Sequence, residues 1–240
     1  MRKAGEVRVT WYGHACFRLE GGGLAVVTDP YTPGPAGLQP LAEPADVVVM
    51  SSALDEAHSC ASAVPGSPRV LNAIDAVGRP AEIAPGVVVE AFSASEGSDR
   101  PDDPKANALY RFELEGVAVC HMGDIGIPLA REHVERLHGR VDVLFALAGA
   151  GLTIALEDLD EAIAGIGPRI VIPMHFRIPS LLYAAGPVED FLVRRRGDRI
   201  VEHDGSSVEI GSTELADASA PTIHVLRPAG DPRAHERSGV

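Results

Sequence analysis

Three short segments place metal-ligating side chains where an apolar run stops: Thr28-Asp29 after LAVV, His121 and Asp124 around the HMGD that follows VAVC, and His175 after IVIPM. Sites in open α/β sheets are built at strand ends. A neutral imidazole or a carboxylate at such an edge can bind a divalent ion without disturbing the core behind it. Gly123 and Gly126 let the intervening backbone turn tightly, so HMGD is a candidate ligand pair. Each residue also has a plainer use, His121 and His175 as hydrogen-bonded edge residues and Asp124 as a turn former. A fourth segment, VVVMSSALDEAHSC, leaves a strand into Asp55, Glu56 and His58. On a helical turn Asp55 and His58 share a face and Glu56 points elsewhere. The plainer alternative is a helix start capped by Ser51 or Ser52, with acids favoured by the dipole and His58 solvated. His14 in WYGHACF is bracketed by apolar residues on a strand and reads as a satisfied core histidine.

The elements that must position these groups are mostly strands in the first hundred residues. VRVTWYG, CFRLEGG, LAVVTDP, DVVVMSS, PRVLNAI and PGVVVEAF are Val-rich runs punctuated by glycine and proline. Gly21 to Gly23 suits a hairpin turn, and Tyr31 to Pro44 and Ala94 to Lys105 read as loops. ALYRFELEG and VAVCHMGD are two strands joined at Glu115-Gly116. PLAREHVERLH (128–138), LEDLDEAIAGIG and VEDFLVRRR carry helical periodicity, the last ending in a solvated Arg194 to Arg196. VDVLFALAG and RIVIPMHF are continuous apolar runs of strand length, as a helix-covered sheet requires. RIVEHDGSSVEIG suggests a hairpin around Asp204-Gly205. Residues 1–211 therefore read as one domain, and 212–240 as a polar, loosely ordered tail.

The chain has 240 residues, with 21 Lys+Arg against 34 Asp+Glu and a net charge of −13. That balance disfavours a nucleic-acid surface, which needs clustered cations. Apolar runs long enough to span a bilayer are absent, as is the apolar core of a secretory signal near the start, so a soluble cytoplasmic protein acting on a small molecule is expected, as a monomer or an oligomer. Cys16, Cys60 and Cys120 are an odd number without CxxC spacing, which points away from disulfides or a cysteine zinc site. GGG lacks the Lys-Ser/Thr of a phosphate loop, and Ser51-Ser52 stand outside a G-x-S-x-G elbow.

The order GHACFRLE, VVTDPY, a strand entering an acid/His loop, CHMGDIG, VDVLFALAGAG and RIVIPMHF resembles the metallo-β-lactamase superfamily, over roughly residues 7 to 210. Within it, the chain resembles the small bacterial branch similar to ascorbate-6-phosphate lactonase. The resemblance implies an α/β fold, a four-layer αβ/βα sandwich with a metal site at one sheet edge and a metal-bound hydroxide attacking an electrophile. It puts His121, Asp124 and His175 on or beside metal-binding positions, with Asp29 and His14 in support. The departure is equally specific. The family's H-x-H-x-D-H falls, without a gap, on Ser52, Leu54, Glu56 and Ala57, so three imidazoles are missing. The loop after GVVVEAF lacks a histidine, and FALAGAG replaces a Pro-Val-Gly-Gly type turn. The usual two-metal site cannot then be assembled, which leaves two readings. One is a hydrolase of lactones or other ester-type molecules, with one divalent metal, zinc or manganese, held by His58, His121, Asp124 and His175. One of Asp55 and Glu56 would assist the metal and the other act as base. The alternative is a catalytically silent member of the fold that binds a small ligand or a partner protein.

Overall fold

The computed structural model describes residues 5–53, 56–97, 106–216 and 220–230. The Val-rich runs form β1 (Val7–Gly13), β2 (Cys16–Gly21) and β3 (Leu24–Thr28), an antiparallel meander. Gly22 and Gly23 turn the second hairpin with φ of 57° and 81°, the left-handed pair that a two-residue hairpin favours. After the single-turn α1 (Pro33–Ala36), β4 (Val47–Met50) and β5 (Arg69–Asn72) add in parallel beside β3. The next four strands, β6 (Ala81–Ala84), β7 (Val87–Ser95), β8 (Ala106–Leu114) and β9 (Val117–His121), are antiparallel neighbours in a second sheet. Helix α2 (Arg131–Leu137), β10 (Val143–Leu147), α3 (Leu156–Ile166), β11 (Ile170–Met174) and α4 (Val188–Arg194) follow, with β9, β10 and β11 parallel. The described chain closes with β12 (Arg199–Glu202), β13 (Ser207–Ile210), α5 (Ser212–Leu215) and β14 (Thr222–Val225).

Two mixed sheets result, ordered β13-β1-β2-β3-β4-β5 and β12-β14-β11-β10-β9-β8-β7-β6. This is the α/β architecture that the motif order implies. Every residue of β9, β10 and β11 is buried, which explains their unbroken apolar sequences. Phe17 of the first sheet stacks on Phe145 of the second with ring centroids 4.0 Å apart, so the two sheets share one core. Fully burying a side chain of that size contributes roughly 2–3 kcal/mol. Helix α3 buries Leu156, Leu159, Ile163 and Ile166 on one stripe, carries Glu157 and Asp158 in its first turn, and stops at left-handed Gly167. Among the described residues no helix is long and apolar enough to cross a membrane.

Four expectations change. The expected helix over 128–138 begins only at Arg131, after Pro128. Asp204-Gly205 does not close a hairpin, since β12 pairs with β14 while β13 crosses to pair with β1. Within the segment from Ser212, expected to be loosely ordered, Ser212–Leu215 form α5 and TIHV forms β14, which inserts between β11 and β12. Its β-favouring Thr, Ile and Val outweigh the polar composition around it. The described part of the segment after β4 is turn rather than a helix capped by Ser51 or Ser52.

Candidate metal centre

The strand ends singled out above meet at one edge of the sandwich. β1 ends in the turn Gly13-His14-Ala15, so His14 belongs to a turn and not to a strand. His14 and His175 hold φ of 53° and 58°, and Asp29, just past β3, holds 40°. Left-handed backbone costs a non-glycine residue on the order of 1–3 kcal/mol when surroundings impose it, and such positions concentrate at functional sites. The imposing contacts are visible. The His14 carbonyl accepts both the Trp11 indole N–H and the His175 backbone N–H, each at 3.0 Å, which ties the end of β11 to the β1–β2 turn. A Cβ on Gly149 would collide with the His175 carbonyl, so glycine is needed where the β10 exit passes β11.

His14, His58 and His175 are 1%, 1% and 4% exposed, and each offers a ring nitrogen within 4.8 Å of the others. Asp124 joins them, with Oδ1 3.3 Å from His175 Nε2 and Oδ2 3.8 Å from His58 Nδ1. Burial first, and then the neighbouring His175 and His58, push His14 well below the ordinary imidazole range, which keeps its ring neutral with a lone pair to offer. His14 Nδ1 is buried and has no hydrogen-bond partner among the described residues. Tetrahedral donors about 2.0–2.2 Å from an ion stand about 3.3–3.6 Å apart. The three imidazoles have the donor chemistry and grouping that suit a divalent cation, with the Asp124 carboxylate beside two of them.

The other expected residues fall elsewhere. His121 is fully buried, but its Nε2 lies 2.8 Å from the Ala15 carbonyl and its Nδ1 accepts the Gly123 N–H at 3.0 Å. Both nitrogens are thus occupied by backbone, and the geometry gives the ring no lone pair for a metal. Burial lowers its affinity for a second proton, with Asp29 acting in the opposite sense. Asp29 accepts from Ser51 N (2.8 Å), Ser51 Oγ (2.5 Å) and Tyr110 Oη (3.3 Å), so it braces the edge. Glu56 has an exposed side chain and contributes its carbonyl to Thr32 N–H, and Asp55 lies outside the described residues. His14 takes the place in the cluster that His121 was expected to hold. The available signal was its position between two strands with glycine before it, which puts a hairpin turn at the same edge as the other ligands.

Known proteins share this arrangement of sheets. Residues 8–175 match the family described as the beta-lactamase superfamily domain. The chain belongs to the β-lactamase superfamily. A UPF0173 metal-dependent hydrolase of Methanoculleus marisnigri is 27% identical over 224 residues, covering 85% of this chain and 97% of that protein. A second UPF0173 metal-dependent hydrolase, from Pyrococcus furiosus, is 26% identical over 236 residues and is covered completely. Among solved structures, a metallo-β-lactamase superfamily protein of Thermotoga maritima is 29% identical with a TM-score of 0.69, over 92% of this chain and all of that one. Igni18, a metallo hydrolase from Ignicoccus hospitalis, shares the fold at 20% identity and a TM-score of 0.65, over 93% of this chain and 96% of that one. At the loop after β4, Ser51 and Ser52 are buried, and Ser51 grips Asp29.

Proposed function

We propose that the protein is a hydrolase using one divalent ion held by His14, His58, His175 and Asp124. The observation that carries this reading is the clustering of three buried imidazoles at the sheet edge, two of them facing the Asp124 carboxylate. Imidazole-rich sets suit zinc better than manganese, whose sites are richer in oxygen donors, so zinc is the ion favoured. Such an ion supplies Lewis acidity and lowers the pKa of a coordinated water toward about 7. The chain's own part is to hold the donors and limit water. Left-handed His14 and His175 are fixed by the shared His14 carbonyl, Tyr183 sets its ring edge on His14 with centroids 5.2 Å apart, and Asp124, 15% exposed, keeps a carboxylate where the buried imidazoles meet solvent. An oxygen there can orient a water or take its proton. The missing imidazoles of the first-half motif remove the second ion of the usual pair and leave this one.

The substrate we favour is a small molecule with a lactone or other ester-type bond, supported by the likeness of GHACFRLE, CHMGDIG and RIVIPMHF to the ascorbate-6-phosphate lactonase branch. A charge of −13 supports a small substrate over nucleic acid and suits a soluble cytoplasmic protein. Elemental mass spectrometry of tag-free protein, before and after zinc loading, tests the reading. About one equivalent, lost in His14→Ala and in His175→Ala, together with hydrolysis of at least one member of a lactone and ester panel, is the expected result. Less than about a tenth of an equivalent after incubation with excess zinc would overturn it in favour of a silent ligand-binding member.

A further inference from the structure

His121 resembles a ligand in sequence, yet its contacts make it a connector. A carbonyl oxygen can only accept, so at 2.8 Å from Ala15 the Nε2 must carry the proton. A backbone N–H can only donate, so Nδ1, 3.0 Å from Gly123, must carry the lone pair. The two contacts leave a single protonation pattern for the ring. Each partner sits beside a proposed metal donor, Ala15 next to His14 in the first sheet and Gly123 next to Asp124 in the second. The ring is held flat against Tyr110, with centroids 5.1 Å apart and planes 8° from parallel, and edge-on to Phe17 and Phe145. Gly123 is necessary to the arrangement. Its φ is 65°, and a Cβ there would strike the Asn107 side-chain oxygen, which accepts the Asp124 N–H at 3.2 Å.

We propose that His121 is a positioning residue that sets the spacing of the metal centre by bridging the His14-Ala15 turn to the Gly123-Asp124 segment as an Nε2-protonated imidazole. The inference rests on the proposed metal site for its purpose, while the bridge itself stands on the geometry alone. Partners that orient metal ligands typically change affinity about 10–100-fold when removed, and the same loss is expected here.

The test compares wild type, His121→Phe and His121→Gln. Phenylalanine keeps the aromatic packing and loses both hydrogen bonds, whereas glutamine can place a donor near the Ala15 carbonyl. Zinc titrated into tag-free, metal-stripped protein should bind about 10–100-fold more weakly to His121→Phe, with affinity partly restored in His121→Gln. Nitrogen-15 spectra of wild type should show His121 protonated at Nε2 both before and after zinc. A zinc-dependent change characteristic of coordination at His121, the opposite tautomer, or unchanged affinity in His121→Phe would overturn the proposal. Should wild type bind no zinc, the metal reading falls, and the bridge is judged by hydrogen exchange at the His175 amide, which bonds the His14 carbonyl. Faster exchange in His121→Phe than in wild type supports it, and equal exchange refutes it.

Discussion

The molecule holds two clusters of imidazoles, and they are built differently. At the sheet edge, His14, His58 and His175 converge, two of them on left-handed backbone and two beside Asp124, with His14 Nδ1 lacking a hydrogen-bond partner among the described residues. At the far side of the second sheet, His203 and His224 lie with Nε2 and Nδ1 3.0 Å apart and rings 5.1 Å between centroids. His224 is on regular β14, His203 follows β12, and neither has a positive φ. The second pair satisfies itself: one ring donates, the other accepts, and no strain is retained. Clustering of histidines is therefore weak evidence for a metal. Strained backbone, converging donors and an unmet lone pair are the stronger signs.

The largest expected effect attacks the first cluster. His14→Ala or His175→Ala should weaken zinc binding by well over the roughly 100-fold typical of outer partners, measured by competition with a chromophoric chelator. Retention of wild-type affinity in both would erase the distinction between the clusters. Acid should next expose the second cluster. Burial, His203 and Arg199 push His224 down to about 4, with Glu214 acting the other way. Its folded value lies below the ordinary 6.5, so the unfolded chain binds the proton more readily between the two. Its neutral-state stability is fully present above about 6.5 and is lost as pH falls through about 4, a change of roughly 2–3 kcal/mol. Urea midpoints of wild type and His224→Phe from pH 7 to 4 isolate this from other histidines, since only wild type should show that component. Asp124→Asn keeps the size of the side chain but weakens its donor oxygen, and a 10–100-fold loss of zinc affinity is expected. The smallest effect belongs to His203→Gln, which should leave zinc content unchanged and alter stability at pH 7 by under about 1 kcal/mol. Loss of zinc in that variant would show that the two clusters are coupled.

The strand ends, the parallel run of β9 to β11 and helix α3 were legible because each rests on a local pattern: a polar residue ending an apolar run, unbroken burial, or an apolar stripe. What side chains do at those ends was less legible. β9 is buried on both faces, so the alternation that tells inward from outward is absent, and nothing in VAVCH reveals that His121 reaches for the Ala15 carbonyl. His14 was read as a core residue because its neighbours are apolar, and they are indeed buried, but the hairpin turn aims the imidazole at the cluster. β14 was hidden by its surroundings, since four residues of strand propensity carry little weight within a polar segment. The pairing of β13 with β1 joins residues about 200 positions apart, beyond the reach of any local pattern.

That last pairing bears on how the molecule comes into being. The chain visits the second sheet with β12, crosses to flank β1 with β13, and returns with β14 to fill the gap between β11 and β12. During synthesis, the strand that leads into the His14 turn waits with one edge bare until β13, about 200 residues later, has left the ribosome. Contacts of such long sequence separation are slow to form. These strands work as a clasp, and a ribosome stalled before Ser207 holds a chain in which β1 is paired on one side only.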